Sequence, residues 1–84
     1  MNPTPTDETL SIFCRNVACI RRRQGLTQKE MALILGIGIR SLRMLEKGCV
    51  PENLGVQMLI PLARLAGVRV STLFHELLAD RARG

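Results

Sequence analysis

Two arginines three residues apart, Arg40 and Arg43, stand in a short segment that also carries Lys47 and is bounded by Gly38 and Gly48. A guanidinium is a rigid, permanently charged fork of N–H donors, and its geometry suits phosphate oxygens and the paired acceptors on a guanine edge. Ten of the twelve cations in the chain are arginine, set against seven carboxylates, for a net charge of +5 and a pI near 10.1. That excess predicts a polyanionic partner. The other reactive side chains do not assemble into a catalytic set. The single histidine, His75, lies beside Glu76 and reads as exposed surface, with no serine or cysteine spaced to use it as a base. Cys14, Cys19 and Cys49 are an odd number at no metal-ligand spacing. They predict neither a zinc site nor a disulfide framework, only small core or half-buried hydrophobes in a reducing compartment. The sequence is therefore read as a non-enzyme with no metal, no cofactor and no small-molecule substrate.

The elements that must position Arg40 and Arg43 follow from size and periodicity. Eighty-four residues make one domain, and with 46% hydrophobic but only 2% aromatic residues the core must be filled by Leu, Ile, Val, Met and Ala, which favours helices. Residues 1–6, with Pro3 and Pro5, read as a mobile arm, and residues 7–84 as a single all-α domain. A first helix from near Thr6 or Asp7 carries Leu10, Phe13, Val17 and Ile20 on one face and stops after three arginines at Gly25. Thr27 and Glu30 form a capping-box pair that opens a second helix, with Met31, Ala32 and Leu35 inward and Gly36 ending it. Ile37 plugs the turn. The third helix, Gly38 to Lys47, puts Leu42 and Leu45 on its inner side. Two short helices joined by a glycine-containing turn form the pattern of a helix-turn-helix, here Thr27 to Gly48.

Beyond a loop from Cys49 to Gly55, Val56, Leu59, Ile60, Ala63 and Leu65 predict a fourth helix, kinked or starting late because Pro61 cannot donate to Gln57. Ser71 is the expected cap of a fifth helix bearing Leu73, Phe74, Leu77 and Leu78. The N-terminal residues show no basic stretch followed by an apolar one, and no window approaches the ~20 apolar residues of a membrane span. A cytoplasmic location without membrane contact is the expectation.

The stretch GLTQKEMALILGIGIRSLRMLEKG, from Gly25 to Gly48, resembles the lambda-repressor-like, Cro/C1-type (XRE) helix-turn-helix regulators, and the likeness extends over about residues 10–78. Gly25-Leu26-Thr27-Gln28, Met31-Ala32, Leu35-Gly36-Ile37, Leu42 and Leu45-Glu46-Lys47-Gly48 stand where that family places cap, core and turn residues. The resemblance implies a five-helix fold in which helices 2 and 3 form the helix-turn-helix of a transcriptional regulator, most often a repressor, that binds double-stranded DNA sequence-specifically. It implies that Gln28, next to the capping Thr27, contacts a phosphate. It places Gly38, Ile39, Arg40, Ser41, Arg43, Met44 and Lys47 on the helix facing the major groove, with Arg40 the foremost base reader. Arg21 and Glu46 match a family ion pair of structural role.

Related regulators pair as homodimers on palindromic sites, and the apolar stripe Leu73, Phe74, Leu77 and Leu78 is the candidate interface, against the alternative that it folds onto its own core. The sequence also departs from the family pattern. Gly38 replaces a polar cap, Ile39 and Met44 replace polar readers, and Leu33 and Ile34 stand where relatives carry exposed charge. These apolar residues support a second reading, a helix-turn-helix used for protein contact in the manner of an antitoxin or anti-repressor.

Overall fold

The computed structural model describes residues 5–51 and 54–75, and all the regular structure among them is helical. Four α-helices, α1 (Pro5–Arg23), α2 (Gln28–Leu35), α3 (Ile39–Glu46) and α4 (Leu59–Ala66), are joined by 3₁₀ turns at Val56–Met58 and Val70–Phe74. The core gathers Phe13, Val17 and Ile20 of α1 with Met31 and Leu35 of α2, Leu42 and Leu45 of α3, and Met58, Leu62 and Leu73 from the C-terminal part. None of the described helices is long and apolar enough to cross a membrane.

The boundaries around the helix-turn-helix fall where the local signals place them. Thr27 is extended, its Oγ1 accepts from the Glu30 N–H at 3.0 Å, and Glu30 Oε1 accepts from the Thr27 N–H at 2.8 Å. Both partners satisfy N–H groups that a helix start leaves without intrahelical acceptors. Gly36 closes α2 at φ 73°, a left-handed conformation in which a Cβ would be strained. Thr27→Ala removes one half of the capping box and is expected to cost about 1 kcal/mol, measurable as a lower urea midpoint with an unchanged slope.

Four expectations are corrected. The first helix begins at Pro5, ahead of the expected start near Thr6 or Asp7. Proline is well suited to a first helical turn, because its locked φ is helical and its missing N–H has no partner there to lose. The α-helical part of the fourth element makes the late start that Pro61 implies, at Leu59, with the proline in its first turn for the same reason, and the correction lies in the helix phase. That start sets the helix phase so that Met58, Leu62 and Ala63 are buried, while Val56 and Ile60, expected to face inward, are 74% and 55% exposed.

The third correction concerns the fifth helix. The described residues hold only the 3₁₀ turn Val70–Phe74, capped by Arg69 and containing Ser71, and His75 returns to extended backbone. Buried Asn16 of α1 explains the stop: its Nδ2 donates to the carbonyls of Leu73 and His75, both at 2.8 Å. The Leu73 carbonyl is thereby taken by a side chain where an α-helix would use it internally.

The fourth concerns the apolar stripe, two of whose residues follow the alternative of folding onto the domain's own core. Leu73 is fully buried, and Phe74 stacks on Phe13 with ring centroids 4.9 Å apart, so both contribute to the domain's own core. Leu77 and Leu78 lie outside the described residues.

Candidate nucleic-acid interface

Glu46, the last residue of α3, organises the charged face. Its Oε2 accepts from Arg21 Nε at 2.6 Å and its Oε1 from Arg21 Nη2 at 3.0 Å, the parallel fork-to-fork geometry of a strong arginine–carboxylate pair. Arg21 Nη1 also donates to the Leu26 carbonyl at 3.0 Å. One guanidinium therefore ties the end of α1, the loop before α2 and the end of α3 together. Burial pushes the Glu46 carboxyl up, but the hydrogen bonds from Arg21 and Gln28 and the charges of Arg21 and Arg22 outweigh it and hold it below the ordinary carboxylate range. The hydrogen bond to Glu46 likewise raises Arg21.

Gln28, the first residue of α2, is drawn into the same group. Its Nε2 donates to Glu46 Oε1 at 3.1 Å, and its Oε1 accepts from Arg43 Nε at 3.4 Å. Both ends of the amide are thus engaged within the protein. The side chain that a phosphate role would use instead links the carboxylate of the ion pair to an exposed arginine of α3. This relay was not legible in the sequence, because Gln28 and Arg43 are fifteen residues apart and meet only after α2 and α3 have packed.

Along α3, Leu42 and Leu45 are completely buried and fix which face turns outward. Arg40, Arg43 and Lys47 are exposed, Met44 is 39% exposed, and Ser41 is half-buried. Gly38 caps the helix with extended backbone and no side-chain bond, and the space where a Cβ would stand is open. Ile39 is only partly available. It packs against the core and, with Ala32, Leu33 and Ile37, lines an apolar hollow rimmed by Lys29. On the outer side of α2, Leu33 is 76% and Ile34 44% exposed.

Thr27 and Gln28 at the start of α2 and the outer face of α3 thus lie on one side, joined by the Gln28–Arg43 contact. That side presents the guanidinium groups of Arg40 and Arg43 beside the N-terminus of α2, a combination able to receive phosphate oxygens and a base edge. Among the described residues no group of His, Cys, Asp or Glu is arranged to hold a metal ion. Asn16, absent from the sequence-based site, matters here only indirectly, by anchoring the segment after α4 to α1.

A family model described as helix-turn-helix matches residues 20–73, which includes every residue of this face. No curated protein and no solved structure matches the chain.

Proposed function

Because the chain belongs to the Cro/C1-type helix-turn-helix family of DNA-binding regulators, we propose that it is a sequence-specific repressor that lays α3 in the major groove of double-stranded DNA. The observation that carries this reading is the orientation of α3. Burial of Leu42 and Leu45 leaves Arg40 and Arg43 outward, and both are exposed among the described residues. In this reading Arg40 reads a guanine edge, Arg43, steadied by Gln28, reads a base or holds a phosphate, and Lys47 and the start of α2 grip the backbone. Met44 and the accessible part of Ile39 offer only apolar contact, which suits a thymine methyl. An eight-residue helix is only ~12 Å long and covers one half-site. The reading therefore includes two copies on a two-fold site, with an interface that does not use buried Leu73.

The exposure of Leu33 and Ile34 on the outer side of α2 favours the second reading, a protein-contact module. Salt separates the two. Binding to duplex DNA through several arginines is expected to weaken on a log–log plot by a slope of about −0.9 for each phosphate neutralised, whereas an apolar protein contact changes little. Fluorescence anisotropy with labelled duplexes across a salt series provides the measurement. Binding that is absent at low salt, or insensitive to it, would remove the DNA reading.

A further inference from the structure

We propose that Cys14 and Cys49 form an intramolecular disulfide when the protein meets hydrogen peroxide, fastening α1 to the turn that closes α3. All three free cysteines of the chain lie at or beside one cleft of about 370 Å³ between these helices. Cys14, Ala18, Cys19 and Arg22 line its α1 wall, and Lys47 and Gly48 line the opposite one. Gly48 turns the chain at φ 96°, and the Cys49 N–H donates to the Met44 carbonyl at 2.8 Å, so Cys49 is held at the edge of the cleft by the closing turn of α3. Two small residues, Ala18 and Gly48, stand on the opposite walls of this cleft.

The thiols differ in a way that assigns their parts. Cys49 is exposed and meets the oxidant, whereas Cys14 is buried. Burial and the nearby Cys49 push the Cys14 thiol up, which makes it the slower primary nucleophile. In the first step the Cys49 sulfur attacks one peroxide oxygen, the O–O bond breaks, and water leaves as Cys49 becomes a sulfenic acid. The Cys14 sulfur then attacks the Cys49 sulfur, the S–O bond breaks, and the departing hydroxide leaves as water with the Cys14 proton. Two thiols lose two electrons in total, and one peroxide becomes two waters. Disulfides in reducing compartments are commonly of this transient, sensing kind.

The sequence makes the test direct, because trypsin places the cysteines in three different peptides, 1–15, 16–21 and 48–64. The full chain is treated with hydrogen peroxide, alkylated and digested without reductant. The expected result is a linked 1–15/48–64 species, two hydrogens lighter than its parts, with Cys19 alkylated and the link reversed by dithiothreitol. Cys49→Ser, at an exposed position, is expected to abolish the link and leave Cys14 fully alkylatable. Cys14→Ala is expected to leave a Cys49 sulfenic acid that dimedone traps, and Cys49→Ser carries the test if that core variant does not fold. A link through Cys19, a Cys49–Cys49 cross-link between chains, or a Cys49 sulfinic acid beside a free Cys14 would overturn the proposal.

Discussion

Arg21→Ala is expected to lower the thermal unfolding midpoint by about 15 °C, through a loss of about 3 kcal/mol in a domain whose size makes each kilocalorie worth several degrees. The size of the effect comes from what the substitution strands. Glu46 retains the single hydrogen bond from Gln28 in a position where its side chain is only 9% exposed, and the Leu26 carbonyl loses a donor. Removing both charges does less harm than removing one, so Arg21→Met combined with Glu46→Leu is expected to recover much of the loss.

Acidification supplies an independent check. The folded carboxyl of Glu46 lies below its ordinary value, so its contribution is present at neutral pH, fully so above the ordinary carboxylate range, and is lost as pH falls through the folded value. The gap between wild type and Arg21→Ala should therefore narrow toward low pH. Circular dichroism melts at a series of pH values would show both effects, and a midpoint change of only a degree or two at neutral pH would contradict the structural role of the pair.

The second large effect concerns recognition. Arg40→Ala is expected to weaken binding to a cognate site by roughly 1–3 kcal/mol, about fivefold to 150-fold, while binding to random duplex falls far less. Gln28→Ala is expected to weaken both. Since Gln28 holds Arg43, the Gln28→Ala and Arg43→Ala losses should not add: the double variant should bind about as the Arg43→Ala protein does. Full additivity in a double-mutant cycle would show that Gln28 acts on DNA without Arg43. The melts of the Arg40→Ala and Arg43→Ala variants, at exposed positions, should stay near wild type, which separates them from Arg21→Ala.

The parts of this account that were legible in the sequence are those governed by neighbours along the chain. Thr27 and Glu30 announce a helix start from three residues apart, Gly36 announces its end, and the spacing of Leu42 and Leu45 fixes the inner side of α3. The ion pair between Arg21 and Glu46 was reached only through family likeness, since nothing local joins residues twenty-five apart. What escaped was decided by packing. Asn16 looks like an ordinary polar position until its amide is found on the carbonyls of Leu73 and His75, and that contact replaces the expected start of a fifth helix with a 3₁₀ turn. A helix counted from Val56 turns Val56 and Ile60 inward. The start at Leu59, with Pro61 in the first turn, rotates the phase and leaves them in solvent. The contacts of Gln28 with Glu46 and Arg43 likewise arise only when α2 and α3 pack.

Selection from a random double-stranded DNA library with the purified protein, run in parallel with the Arg40→Ala variant, tests the central claim most directly. Wild type is expected to enrich one two-fold motif with a fixed guanine in each half, and Arg40→Ala to retain the rest of the motif while losing the preference at that guanine. Enrichment of no motif by wild type, or the same motif with the same guanine from both proteins, would contradict it.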